Sequence, residues 1–216
     1  MVTGFYVSLD APSILSVALA LTQAVLPKDL WLCDRELEMT WPACGLPELL
    51  HLDNAPEFKS EALERGTREY GINLLYRPIG RPHFGGHIER LIGTVMGAVH
   101  LLPGTTFASV TKKGSYRPEK TASLTLLELE RWLALEIVGV YHHTLHSALH
   151  QTPAAAWQHG LAQRPRPARQ PQDGERFFLD FLPVERRQIR RDGHSAVSPA
   201  LLAQRPQPTG WSFQDA

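Results

Sequence analysis

Residues 47–58 read PELLHLDNAPEF, and residues 80–94 read GRPHFGGHIERLIGT. In the first stretch a short apolar run, Glu48 to Leu52, enters Asp53-Asn54-Ala55-Pro56, which has the composition of a strand that ends in a turn. Pro56 suits the first turn of a helix, expected to run to Tyr70, and Gly71 breaks it. Ile72 to Tyr76 reads as a second short strand. A glycine- and proline-rich loop, Arg77 to Gly86, then opens into a helix from His87 to Leu102. Strand, helix, strand, helix in this order predicts an α/β layered fold.

Working outward, VTGFYVSL (residues 2–9) mixes aromatic and β-branched residues at about period two and is expected to be a strand. Ser13 is placed to cap a helix over Ile14 to Leu26, with Pro27 ending it. Downstream, Leu124 to Tyr141 carries a helical stripe of Leu127, Trp132, Leu135, Ile137, Val138 and Tyr141, read as core rather than as a base-stacking platform. A shorter helix covers Pro153 to His159. RPRPARQP (residues 164–171) reads as a stiff linker with a domain boundary near residue 165, and Phe177 to Leu182 and Arg187 to Arg191 read as short strands. The polar end, residues 195–216, lacks periodicity and is expected to be poorly ordered.

Composition narrows the classes. The chain has 216 residues, 43% of them hydrophobic, enough for one principal core and a small appendage. No apolar run is long enough to span a bilayer and the start is unlike a signal peptide, so a cytoplasmic protein without a membrane partner is expected. Cys33 and Cys44 form no metal-type pair and receive no role. Lys plus Arg and Asp plus Glu both number 22, yet the first third is acidic and Arg65 to Lys120 is basic. Such a basic stretch suits phosphate contact, and it equally suits a solvated face.

Thirty-five residues separate Asp53 from Glu89. A carboxylate at a strand end and another in the first turn of a helix can share divalent cations through hard oxygen ligands. Two such ions, about 3.5 to 4 Å apart, drive phosphoryl transfer by activating the attacking oxygen and stabilising the leaving one, and a third acidic ligand is normally needed. The same acids also fit plain structural roles, Asp53 as a turn residue and Glu89 as a helix-dipole complement. Asp10, Asp29 and Asp34 are poorly placed to supply a third ligand. His83 and His87, and His142, His143 and His146, lack the context of a zinc site.

The wording around the two acids resembles a family. HLDNAPEF (residues 51–58) is similar to the D-N-G-x-E-F element of retroviral-integrase-like cores, with Ala55 at the usual glycine, and residues 80–94 resemble the element carrying their third acid. With WPACGLPELLHLDN, RPHFGGHIER, HLLPGTTF and YHHTLHSALHQTPAAAW, the chain looks most like the Mu-like transposases of Tn7- and mercury-resistance-type elements. This resemblance implies a ribonuclease-H-like mixed sheet flanked by helices over residues 1–163. A Pro/Arg-rich linker (164–172), the start of a small β-barrel (173–193) and a tail (194–216) follow. Within that framework it implies an Mg²⁺-dependent DDE core, with Mn²⁺ able to substitute, that cuts DNA ends and joins them to a target. Asp53 and Glu89 are the implied catalytic and metal-binding residues, and Asn54 and Glu57 support the turn. Lys59, Arg77, Arg81, His83, Arg90, Lys112 and Lys113 are the candidates for DNA contact, with Arg186, Arg187, Arg190 and Arg191 adding contacts in the barrel.

The resemblance also implies homo-oligomers on DNA and an ATPase target-selection partner. In the family the first catalytic Asp lies on a strand just before the one that opens this sequence. The implied core is therefore truncated at its N-terminus, with its first strand and first carboxylate missing, and inactive as an isolated chain. The alternative is a non-catalytic remnant that binds DNA or a transposase.

Overall fold

The computed structural model describes residues 1–78, 86–100, 102 and 123–184. Ser13 caps α1 (Ile14–Val25) as expected, accepting from Ser16 N–H while the Ser16 hydroxyl accepts from Ser13 N–H. Ala18, Leu21 and Val25 line its buried face at helical spacing. A five-residue helix, α2 (Asp29–Cys33), follows and was not foreseen; its Trp31 and Leu32 are buried. Between them Lys28 is buried, its Nζ donating to the carbonyls of Ala24, Leu26 and Ala43. These bonds satisfy the open end of α1, and burial lowers the Lys28 pKa to about 8, against a smaller opposing effect of Cys44.

β1 (Leu49–Leu52) and β2 (Asn73–Tyr76) pair in parallel, Leu49 opposite Asn73 and Leu52 opposite Tyr76. Parallel neighbours need a crossover, and α3 (Glu61–Glu69) supplies it. The single helix expected from Pro56 divides into a 3-10 turn, Pro56–Phe58, and α3, because Ser60 adopts an extended backbone and accepts from Leu63 N–H to start a new helix. α4 spans Gly86–Val99, α5 spans Leu126–Ala134, α6 spans Pro153–Ala162 and α7 spans Gly174–Asp180.

Three sequence expectations give way here. Residues 1–8 join no ladder among the described residues; instead side chains take their backbone groups. Val2 N–H donates to His142 Nε2 (3.0 Å), Phe5 N–H to Gln23 Oε1 (2.6 Å), and Trp41 Nε1 donates to Val2 O (3.0 Å). The helix after Thr125 does not stay α-helical: Leu135–Val140 is a π-helix and Tyr141–His143 a 3-10 turn. The buried face falls on Leu133, Ala134, Ile137 and Val138, four residues apart in pairs, and Leu127 and Leu135 are exposed. The strand expected over Phe177 to Leu182, where the barrel was to begin, is α7 instead, capped by Asp173. Residues 187–191, the other expected strand, lie outside the described residues.

Two apolar clusters hold these pieces. In the first, α1, α3 and α7 meet through Leu21, Val25, Leu63, Phe177 and Phe181. Gly66 makes this approach possible, since a Cβ there would lie 2.6 Å from the Phe181 ring. Leu50 and Leu52 add one face of the sheet, while Leu49 and Leu75 on the other face stay exposed. In the second, Trp31, Trp41, Ile137 and Val138 pack with Phe5, Val95 and Trp157. Residues Met1–Pro183 form one compact unit. The described sheet has two strands, so the architecture is mixed α/β with helices around a small parallel sheet. Among the described residues no helix is long and apolar enough to cross a membrane.

Candidate active site

β1 delivers Asp53 to the end of the sheet at which β2 delivers Arg77. The parallel register carries one step past the strands, with Arg77 N–H donating to Leu52 O at 2.8 Å. Asp53 Oδ1 accepts from Ala55 N–H at 2.9 Å, a turn closed by the side chain, and Asn54 Nδ2 donates to Arg77 O at 2.8 Å. The loop is held from the other strand too: Tyr76 O–H donates to Phe58 O at 2.8 Å, and burial, with a smaller effect of Glu64, raises that phenol's pKa.

Glu89 reaches this end from the first turn of α4. The Arg77 guanidinium donates to Glu89 Oε1 at 3.4 Å, an ion pair whose side chains are 22% and 63% exposed. Glu89 thus meets the guanidinium of Arg77, whose carbonyl is held by Asn54, the neighbour of Asp53.

Of the residues singled out by sequence, Asp53, Asn54, Arg77 and Glu89 come together. Glu57 lies within the 3-10 turn and Lys59 closes it, and neither bonds to Asp53 or Glu89 among the described residues. Arg90 is exposed on α4. Arg81, His83, Lys112 and Lys113 lie outside the described residues, as do Arg186, Arg187, Arg190 and Arg191. Tyr76 was missed; its place beside Leu52, one residue before Arg77, was the available signal.

The donor set fits part of a divalent-cation site. Asp53 and Glu89 offer exposed carboxylate oxygens of the hard kind that Mg²⁺ takes. Among the described residues no three His, Cys, Asp or Glu side chains gather where they would hold a metal ion. Both cysteines are free, and Cys44 Sγ accepts from Gln170 Nε2. His142 is buried, and burial is the chief cause of a pKa lowered to about 4, followed by the chain-terminal ammonium and His143.

Comparison with known proteins places the sequence beside transposases. The family described as the TnsB C-terminal domain matches residues 1–104. The transposase for transposon Tn552 of Staphylococcus aureus is 29% identical over 160 residues, covering 72% of this chain and 29% of that protein. The uncharacterized protein y4iC of Sinorhizobium fredii is 50% identical over 88 residues, covering 36% of this chain and 38% of that one. The chain therefore spans between a quarter and two fifths of the length of the curated relatives it matches. These likenesses support a transposase family for the chain.

Proposed function

We propose that this chain is part of the catalytic region of a DNA transposase, a Mu-like DDE core of ribonuclease-H-like type. Asp53 and Glu89 are two of its metal-binding carboxylates. The observation that carries the reading is the meeting of Asp53, Asn54, Arg77 and Glu89 at one end of the parallel sheet. Likeness to a transposase adds the substrate, DNA.

In this reading a 3′-hydroxyl oxygen gives up its proton to solvent and forms a bond to a phosphorus of the target strand. The bond from that phosphorus to its own 3′-oxygen breaks on the opposite side, and the leaving oxygen takes up a proton. When bound, Mg²⁺ or Mn²⁺ supplies Lewis-acid stabilisation of the attacking and leaving oxygens. The chain's own contribution is placement. The Asp53 turn fixes one carboxylate at the end of the sheet, α4 presents the other, and Arg77 supplies positive charge beside Glu89 for a phosphate to meet. A multimer on DNA, an ATPase target-selection partner and a cytoplasmic setting belong to the same proposal.

A second reading, a remnant that binds DNA or a transposase without cutting, is favoured by the want of a third ligand among the described residues. Cleavage and strand transfer of a labelled transposon-end duplex with Mg²⁺ or Mn²⁺ separates the two. The assay compares this chain, a version extended upstream, and Glu89→Gln in each. Activity that Glu89→Gln reduces by about a hundredfold or more is expected. Activity indifferent to Glu89→Gln, or absent from every version, would sink the catalytic reading; retained DNA binding without activity would establish the second.

A further inference from the structure

The π-helix Leu135–Val140 and the 3-10 turn after it turn the chain into residues 144–147, which lie opposite one flank of α4. Between them is a groove of about 470 Å³. Arg90, Thr94, Tyr141, Thr144, His146 and Ser147 line it together with aliphatic side chains, and none of the lining residues is acidic. Thr94 and Thr144 donate their hydroxyl protons to the carbonyls of Arg90 and Val140, both at 2.9 Å, so neither is a donor for a ligand. The Arg90 guanidinium and the hydroxyls of Tyr141 and Ser147 have no side-chain hydrogen bond among the described residues. They give the groove one cationic and two neutral donors without a side-chain partner among the described residues.

The direction of this groove separates it from the carboxylates. At about 100° per residue, Ile88, Arg90, Leu91 and Thr94 centre on the side of α4 roughly opposite Glu89. A ligand here is therefore not the strand lying at Asp53 and Glu89. A cation with hydroxyl donors above an aliphatic floor suits a sugar-phosphate unit, the phosphate on Arg90 and the sugar on the apolar side chains. π-Helical turns of this kind often accompany functional sites, and this one leads directly into the groove wall.

We propose that the groove is a second DNA-backbone site, in which Arg90, Tyr141 and Ser147 hold a phosphate of a DNA segment other than the one at the carboxylates. The proposal rests on the transposase reading. The test is fluorescence anisotropy of the full chain with a labelled duplex, titrated with salt. It compares the wild type with Arg90→Ala, with the double variant Tyr141→Phe/Ser147→Ala, and with Arg68→Ala, which removes an exposed cation from α3. Arg90→Ala should weaken binding by about fivefold and lower the salt slope by about one. The double variant should weaken it by about threefold at an unchanged slope, and Arg68→Ala should bind like the wild type. Wild-type binding reduced no more by Arg90→Ala than by Arg68→Ala overturns the groove and leaves the transposase reading standing. A wild-type chain that binds no duplex even at low salt overturns both.

Discussion

Around Phe177 and Phe181 the protein is closed. Both rings are 0% exposed, Phe177 meets Tyr70 edge-on while Phe181 stacks on it, the two rings meet at a tilt, and Gly66 yields its Cβ space to Phe181. Burial and the Asp180 carboxylate, which accepts from Tyr70 O–H at 2.8 Å, raise that phenol's pKa to about 12. At the Asp53 end of the same sheet the protein is open. Asp53 and Asn54 are exposed, Glu89 is largely so, and a few hydrogen bonds with one loose ion pair hold the arrangement. The difference implies a division of labour: close packing fixes where the strands end, and the strand ends then present charge to solvent at little cost in stability. Substitutions in the first region should change stability, and those in the second should change chemistry.

The largest expected effect tests the closed side. Phe177→Ala removes a ring with no exposure from the meeting point of α1, α3 and α7, and should cost about 3 to 5 kcal/mol. It would be measured as a fall in the urea midpoint at unchanged slope. A change under about 1 kcal/mol would mean that α7 does not seal this core.

The second effect is acid sensitivity through His142, which is 1% exposed with its Nε2 accepting from Val2 N–H. Its pKa is lowered from 6.5 to about 4, so the unfolded chain takes up the proton first as pH falls. The associated stability is fully present above pH 6.5 and is lost toward pH 4, on the order of 3 kcal/mol in all. Since carboxylates titrate nearby, the measurement is the difference in stability between wild type and His142→Gln at pH 7 and pH 4.5. That difference should shrink at the lower pH, and a constant difference would break the assignment.

This contrast also explains what the sequence made legible. The strands at Leu49–Leu52 and Asn73–Tyr76, the Ser13 cap and the turn at Asp53 depend on neighbours in the chain, and local pattern carries them. The segment Gly174–Asp180 misled because alternating Phe177, Leu179 and Phe181 satisfies a period of two. Only the Asp173 cap and the pocket opened by Gly66, more than a hundred residues away, select the helix. Residues 1–8 misled for the opposite reason. Their composition favours a strand, but a ladder is a pairwise structure, and the partners their backbone finds are the side chains of His142, Gln23 and Trp41. At the site, Asp53 and Glu89 were singled out by the wording around them, HLDNAPEF and GRPHFGGHIERLIGT. The Asn54 to Arg77 bond across the two strand ends had no such signal, because the strand register sets it.

Between the two regions stands Ser60, which ends the site loop and caps α3 by accepting from Leu63 N–H at 3.2 Å. Ser60→Ala should cost about 1 kcal/mol, read as a modest fall in Tm, and Ser60→Asp should restore most of it. If both variants melted like the wild type, α3 would be held by Leu63 and Gly66 packing alone, and the closed region would reach further toward the site than its hydrogen bonds imply.

The smallest effect on stability is also the sharpest test of the contrast. Arg77→Gln removes the guanidinium that meets Glu89 but keeps the two backbone bonds, Arg77 N–H to Leu52 O and Asn54 Nδ2 to Arg77 O. A partly exposed pair at 3.4 Å contributes little in water, so stability should change by less than about 0.5 kcal/mol. On the proposed transposase reading duplex cleavage, by contrast, should fall, because the positive charge beside Glu89 is gone while the backbone bonds at the strand ends are kept. A drop of several degrees in Tm would show that the ion pair holds α4 to the sheet, which would make the open end a structural clamp rather than a surface poised for charge. Unchanged Tm with reduced cleavage is what separate packing and chemistry require, since only then does a residue joined to both strands by its backbone act through its side chain alone.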